Sequence, residues 1–353
     1  MRKFTAMCMI LSLILLSGCG VHLNFSGTSP FRNLRNGEIN QAVESAVDAF
    51  IADENLEDIS VGVLSGKQAQ FVNRGQMGEH TKVRLGTMTQ MFTGMLIPFM
   101  TNDNIINKPS DIDQIADDWF HSTSAVPVWP AEGEEAPAEE EDAAGEGPAG
   151  TPIEIWQLAL HMSGLGAMDT FGKDYATGGM LHNQIENATL DFEPGTAMQD
   201  STLGYALLCE TLRMNYNMNA KYVNLVGNQV TGPMDMQNSG FWKADALAGY
   251  DGYESTTYDL LKVAAHVNGV LDQSPHLRMQ LDGALEEVHD TGKTLAFDMA
   301  QLNGNTVYFR TGSGDGTTSC IAIIPALDIA VTLNANGNAD LMALANALLD
   351  ILQ

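Results

Sequence analysis

The pattern of apolar residues in this chain changes at the stretch Gly86-Thr87-Met88-Thr89-Gln90. The run Val83-Arg84-Leu85 precedes it, and beyond it apolar side chains recur at helical spacing, at Met88, Met91, Phe92 and Met95. The stretch therefore predicts the start of a buried helix. Thr87 and Gln90 would lie on one face of that helix, where one side chain can act on the other.

Two further segments carry side chains of the kind found in binding or catalytic sites. Pro194-Gly195-Thr196 is followed by Asp200-Ser201-Thr202, and Arg310-Thr311-Gly312 lies near the C-terminus. The guanidinium of Arg310 suits a carboxylate, which it can bind through two parallel hydrogen bonds. The glycine that follows in the same segment allows a close approach of another backbone.

The order and spacing of these three segments resemble those of the serine β-lactamase-like family, which includes class C β-lactamases, D-Ala-D-Ala peptidases and related esterases. The segment His161-Met162-Ser163-Gly164-Leu165 adds to the resemblance, which extends from about Glu38 to the C-terminus. The resemblance implies an α+β fold: an antiparallel sheet flanked by N- and C-terminal helices, with a mostly helical lobe inserted at about residues 87–250.

The resemblance also assigns catalytic positions, and the residues found there differ from those of the family. The family has a serine, a lysine, a tyrosine and an asparagine where this chain has Thr87, Gln90, Asp200 and Thr202. Threonine adds a methyl group on Cβ that restricts χ1, and a glutamine amide takes up no proton near pH 7. We therefore expect a catalytically inactive relative.

A ligand-binding role could outlast the loss of catalysis. At position 310 the family has a lysine or histidine, so Arg310 preserves the positive charge, and Thr311 and Gly312 preserve the polar backbone beside it. We expect these three residues to bind a carboxylate ligand such as a peptidoglycan fragment.

An alternative is a divergent hydrolase in which Thr87 is the nucleophile and Asp200 the base, acting on an acyl, ester or peptidoglycan-derived substrate. An ion pair between Arg310 and Asp200 would weaken that base by lowering its pKa. A third possibility is an envelope protein that uses an outer surface and no pocket.

The secondary structure predicted from periodicity fits this scheme. A first helix is expected at Glu38–Ala52, followed by a hairpin of Ile59–Leu64 and Ala69–Asn73. Another helix is expected to start at Thr151, with Glu154 completing a capping box. Near the C-terminus the sequence predicts three strands and a last helix, at Val307–Phe309, Cys320–Ile324, Ile329–Leu333 and Leu341–Leu352.

The N-terminus has the features of a lipoprotein signal peptide at residues 1–18. Arg2 and Lys3 precede an apolar run, Phe4–Leu16, which ends in Leu16-Ser17-Gly18-Cys19, similar to the lipobox of bacterial lipoproteins. Lipid on Cys19 would anchor the protein, and residues 19–37 would form a flexible tether to the domain at 38–353. Gly20 stands where the lipoproteins retained in the inner membrane of enteric bacteria have an aspartate, so the resemblance implies the outer membrane, with the domain facing the periplasm.

Composition limits the partners. The net charge of −27 argues against nucleic acid, because phosphate binding needs clustered Lys and Arg. The sequence indicates no cofactor and no metal-ligand spacing, and it identifies no protein partner. Residues 130–150 are acidic and rich in Ala, Gly and Pro, so we expect a disordered loop there. The sequence leaves open whether Cys209 and Cys320 form a disulfide.

Overall fold

A seven-stranded sheet organises the computed structural model of this protein. The structure describes residues 29–106, 129–130, 150–151, 153–168, 181, 183–185, 187–217 and 219–353. Within this part of the chain, residues from Phe31 onwards form one compact unit. Cys19, the signal peptide and residues 131–149 of the acidic loop lie outside the described residues.

Strands and helices are numbered separately along the chain. The strands are β1 Arg32–Asn33, β2 Ile59–Ser65, β3 Gln68–Arg74, β4 Val83–Arg84, β5 Trp129–Pro130, β6 Gly150–Thr151, β7 Gly240–Phe241, β8 Tyr253–Ser255, β9 Asp298–Leu302, β10 Asn305–Gly314, β11 Thr317–Ile324 and β12 Ile329–Asn336. The α-helices are α1 Gly37–Glu54, α2 Gln90–Asn102, α3 Ile155–Ala159, α4 Thr202–Tyr216, α5 Tyr222–Val226, α6 Ala248–Asp251, α7 Thr257–Val267, α8 Pro275–Ala284 and α9 Leu341–Leu352.

The large sheet has the order β1-β3-β2-β12-β11-β10-β9. Its neighbours pair antiparallel except β1 and β3, which are parallel. Alternate residues of a strand point to opposite faces of such a sheet, and the residues of β11 divide between the two faces in this way. In β11, Cys320 and Ala322 pack with α1 and α9 on one face, whereas Ile321 and Ile323 join the core of the helical lobe on the other.

The helical lobe and a small sheet lie between β3 and β9 in the chain. The small sheet has the order β4-β8-β7, and a short 3-10 turn at Gly86–Thr89 leads from β4 into α2. α2 is buried along its length, and Gln280 of α8 donates a hydrogen bond to the carbonyl oxygen of Met95 at 2.9 Å. The predicted α+β fold, with terminal helices on the sheet and an inserted helical lobe, is confirmed.

Some local predictions were wrong. The helix expected at Thr151 begins at Ile155, and Glu154 is its N-cap, paired with Gln157 in a capping box. Thr151 lies instead in β6, where it pairs with Trp129 of β5. The predicted tether is also too long, because Leu34 is buried and β1 pairs with β3 before α1 starts.

The two cysteines of the folded unit do not form a disulfide. Both are free and buried, Cys209 within the core of the helical lobe and Cys320 within the core beneath α1 and α9. Burial raises the pKa of each thiol to about 12. Both side chains therefore act as small apolar core residues.

Candidate active site

Thr87 lies on a turn that is pressed against β10. Gly86 adopts a positive φ of 54°, and a Cβ atom there would lie 1.8 Å from the carbonyl oxygen of Ser313. A Cβ atom on Gly312 would likewise lie 2.4 Å from the nitrogen of Met88. Two glycines thus bring the first and third predicted segments into contact on both sides of Thr87. Within the part of the chain that the structure describes, the Thr87 hydroxyl makes no hydrogen bond.

Gln90 stands one turn further along and is almost completely buried, with 3% of its surface exposed. Its Oε1 accepts hydrogen bonds from Nη2 of Arg310 and, at 3.1 Å, from Nε2 of His161. A guanidinium can only donate, so this contact fixes which end of the amide is the oxygen. The amide nitrogen Nε2 is buried and has no hydrogen-bond partner among the described residues.

His161 connects the first and second segments. It follows the C-terminal end of α3 with a positive φ of 59°, and its Nδ1 accepts a hydrogen bond from the Ser201 amide at 3.1 Å. The proton of the neutral ring is therefore on Nε2, which donates to Gln90. Burial lowers the pKa of His161 to about 4; Asp200 opposes this shift, and Arg310 adds to it. At neutral pH the imidazole is uncharged and its lone pair is already engaged.

Arg310 is held at the same place by a second contact. Its side chain is 17% exposed, and Nη1 lies 3.6 Å from the carboxylate of Asp298, which also pairs with Lys293. The ion pair between Arg310 and Asp200 that the sequence made possible is not formed; Arg310 pairs with Asp298 instead. The register of the sheet explains this, because Asp298 pairs with Phe309 and so lies beside the next residue of β10.

The second predicted segment, Asp200-Ser201-Thr202, takes a smaller part in the candidate active site than predicted. The Asp200 side chain is 65% exposed and accepts a hydrogen bond from the Tyr250 hydroxyl at 2.6 Å, and it makes no hydrogen bond with Thr87. Burial raises the pKa of Tyr250, and the bond to Asp200 adds to this effect. The Thr202 hydroxyl accepts a hydrogen bond from the Met168 amide at 2.7 Å, which is a structural role.

The loop between α3 and α4 brings the second segment to this place. The Gly195 amide donates to the carbonyl oxygen of Met162 at 2.8 Å, and the Gln199 amide donates to that of His161 at 2.9 Å. Ser201 then caps α4 by accepting a hydrogen bond from the Gly204 amide. This is why His161 faces the N-terminal end of α4.

Tyr205 supports the site from behind. Its hydroxyl donates to the main-chain oxygen of Gln90 at 3.2 Å, and its ring lies 5.2 Å from that of His161. Tyr205 is fully buried, and burial raises the pKa of its hydroxyl. The phenol is therefore a neutral donor that holds the start of α2 in place.

The edge of β10 opens beside these side chains. β9 pairs with β10 only over Asn305–Phe309, and from Arg310 to Gly314 the strand is paired with β11 alone among the described strands. Thr311 and Ser313 are exposed on this stretch. An extended ligand could therefore bind along the edge, with Arg310 at one end of it.

Sequence comparison identifies the family to which this site belongs. A model of the beta-lactamase family matches residues 43–352. The chain belongs to the beta-lactamase family. No curated protein sequence matches it.

Solved structures of this beta-lactamase family have the same fold. A structure described as a class C beta-lactamase is 15% identical with a TM-score of 0.73, over 91% of this chain and 99% of the other. A D-alanine carboxypeptidase AmpC from Burkholderia cenocepacia is 13% identical with a TM-score of 0.70, over 89% and 99%. A beta-lactamase/D-alanine carboxypeptidase from Yersinia pestis complexed with citrate is 16% identical with a TM-score of 0.69, over 89% and 99%. At these identities the likeness concerns the fold.

In this beta-lactamase-family chain, sequence reasoning locates Thr87, Gln90 and Arg310 but misses several of their partners. The structure brings Gln90 and Arg310 into direct contact and adds His161, Asp298 and further polar groups. The sequence alone favours a structural interpretation of His161, although its position in a family-like segment is a usable signal. Asp298 carries no signal, because β9 is not predicted.

Proposed function

We propose that this protein is a membrane-anchored lipoprotein whose beta-lactamase-family domain binds a carboxylate ligand and does not hydrolyse it. The contact between Gln90 and Arg310 carries the proposal. An amine at position 90 could take a proton from the Thr87 hydroxyl, whereas an amide oxygen held by a guanidinium cannot.

Among the described residues, the other titratable groups of the site do not supply a substitute base. The lone pair of His161 accepts the Ser201 amide, and burial keeps the ring neutral by lowering its pKa to about 4. The carboxylate of Asp200 accepts the Tyr250 hydroxyl and is not bonded to Thr87. No hydrogen bond joins the Thr87 hydroxyl to an amine or carboxylate in the described ranges.

The binding part of the proposal rests on charge and on free donors. Arg310 and Lys293 share the single carboxylate of Asp298, which leaves positive charge at the edge of β10. Nε2 of Gln90 is a buried donor without a partner among the described residues, and such a group favours a ligand oxygen. The similar structure from Yersinia pestis is described as complexed with citrate, a tricarboxylate.

Calorimetry with acetyl-D-alanyl-D-alanine and its C-terminal amide tests the binding part of the proposal. We expect the free acid to bind more tightly than the amide, and Arg310→Gln to remove this preference. A charge-assisted pair is worth about 1.5–3 kcal/mol, so the dissociation constant of the acid should rise by at least about tenfold. Equal binding of the acid and the amide would contradict the assignment of Arg310.

The alternative is a hydrolase that uses Thr87, and the unengaged Thr87 hydroxyl favours it. In that case the dipeptide, a penicillin or an ester reporter would be turned over, and Thr87→Ala would abolish the turnover. The proposal expects no turnover above the rate of the Thr87→Ala variant.

The membrane anchor rests on the sequence before the folded unit. Among the described residues no helix is both long and apolar enough to cross a membrane. We propose that lipid on Cys19 supplies the attachment. Fractionation of cells should place the wild type with the membranes and Cys19→Ser outside them, whereas equal membrane association of both would contradict lipidation.

A further inference from the structure

A second concave site lies away from Thr87, between α2, α8 and the segment 286–295. It is a groove of about 940 Å³, within the range of small-molecule sites. Apolar side chains line it, among them Ile97, Pro98, Met279 and Leu295. Thr87 and Arg310 are not among its lining residues. The groove is therefore distinct from the candidate active site.

The walls of the groove are held in place by packing and hydrogen bonds. A Cβ atom on Gly283 would lie 3.0 Å from Cβ of Pro98, so α8 and α2 are in close contact below the groove. The third wall is a turn in which the Val288 amide donates to the carbonyl oxygen of Lys293 at 2.9 Å. The groove is thus preformed, and a ligand would bind it without ordering these walls.

An aromatic pair forms one end of the groove. The rings of Trp156 and His289 lie 4.6 Å apart, and the indole nitrogen of Trp156 donates a hydrogen bond to Glu154. Both rings line the groove. Faces of indole rings attract organic cations as well as apolar groups.

The charge of the side chains that line the groove indicates which charge a ligand should carry. Apart from His289, the ionisable groups that line it in the described ranges are one guanidinium and three carboxylates, namely Arg278, Asp282, Glu286 and Glu287. Arg278 is already engaged, since it pairs with Asp282 and donates to the carbonyl oxygens of two residues of α7. Glu287 accepts the Gly292 amide at 2.9 Å but keeps its negative charge. An unbalanced negative charge therefore lies beside apolar and aromatic surface.

We propose that this groove binds an amphipathic organic cation, a primary or quaternary ammonium group attached to an aromatic or aliphatic body. The body contacts the apolar wall and Trp156, and the ammonium group lies at the carboxylates of Glu286 and Glu287. This is a binding site separate from the one discussed above, and it does not depend on whether Thr87 or Arg310 has a function.

The test compares two probes of the same shape and opposite charge, 2-naphthylmethylammonium and 2-naphthylacetate, by calorimetry on the full folded domain. We expect the cation to bind at least about tenfold more tightly than the anion, because the negative charges of Glu286 and Glu287 favour it. The double variant Glu286→Gln/Glu287→Gln should weaken binding of the cation by about tenfold. The matched control, Glu38→Gln/Glu44→Gln, removes the same charge from α1 and should leave binding unchanged.

A second variant covers the case in which the double variant fails to fold. Met279 is exposed on α8, so Met279→Lys should fold normally while it introduces a cation that competes with the probe. Equal binding of both probes, equal weakening in the α1 control, or no binding of the cation at millimolar concentration would each overturn the proposal. Dimerisation that Met279→Lys abolishes, without binding of the cation, would instead assign the groove to a second copy of the chain.

Discussion

Gln90 shows how one side chain changes what its neighbours can do. The amide oxygen accepts from Arg310 and His161 at once, so two half-buried donors depend on it. Thr87 lies one turn away, and no other side chain depends on it in this way, because its hydroxyl has no hydrogen-bond partner among the described residues. We therefore expect Thr87 to contribute less to the stability of the fold than Gln90.

This difference predicts opposite results for two substitutions of similar size. Gln90→Leu leaves the half-buried donors of Arg310 and His161 without an acceptor, which should cost about 1 kcal/mol or more for each donor. Thr87→Val keeps the shape and removes only the hydroxyl, so its effect on the free energy of unfolding should stay within about 0.5 kcal/mol. Urea denaturation of both variants measures this. A Thr87→Val variant as unstable as Gln90→Leu would show that the hydroxyl has a partner after all.

The buried His161 predicts a pH-dependent stability. The pKa of its imidazole is about 4 in the folded protein against 6.5 as the ordinary value, so below pH 6.5 the unfolded chain takes up the proton first. Its contribution is complete above pH 6.5 and is lost progressively as the pH falls to about 4, by about 3 kcal/mol in total.

The measurement is the free energy of unfolding between pH 7 and pH 4 for the wild type and for His161→Gln. Glutamine can accept from Ser201 and donate to Gln90 but does not titrate. The variant should lose less stability over this range than the wild type, and identical slopes would contradict the role given to His161.

At this scale the sequence predicted the positions Thr87, Gln90 and Arg310, but not their partners, because contacts between distant segments leave no periodic signal.

At the scale of elements, periodicity was the most informative signal. The predicted helix Leu341–Leu352 and the hairpin around Gly66-Lys67 are confirmed. The helix buries one face with a regular period, whereas β2 of the hairpin is buried on both faces. β1 and β9 were missed. β1 has only two residues, and β9 is half-buried along most of its length, so neither shows an alternation of apolar and polar residues.

The contact between α2 and the segment before β9 depends on the absence of a side chain. A Cβ atom on Gly94 would lie 1.9 Å from the carbonyl oxygen of Leu295, within the buried core of the helical lobe. Gly94→Ala should therefore lower the melting temperature, by a destabilisation of about 3 kcal/mol. Gly227→Ala is the matched control, because a Cβ atom there meets nothing within 4 Å. A Gly94→Ala variant as stable as this control would contradict the close packing.

At the scale of the molecule, the domain keeps the architecture of the beta-lactamase family, whereas the proposed loss of catalysis depends on a few side chains within it. The sheet and its two cores are predictable from apolar alternation and from the resemblance of the three segments. Whether the cleft reacts cannot be deduced from the fold, because it depends on the protonation and the hydrogen bonds of a few side chains. The central proposal is therefore chemical: no base among the described residues is hydrogen-bonded to the Thr87 hydroxyl.

Intact-protein mass spectrometry after prolonged incubation with a penicillin tests this claim most directly. The proposal predicts that the wild type and Thr87→Ala both retain the mass of the unmodified chain, because the Thr87 hydroxyl has no hydrogen bond to a base in the part of the chain that the structure describes. A stoichiometric increase equal to the mass of the penicillin, present in the wild type and absent from Thr87→Ala, would contradict the account.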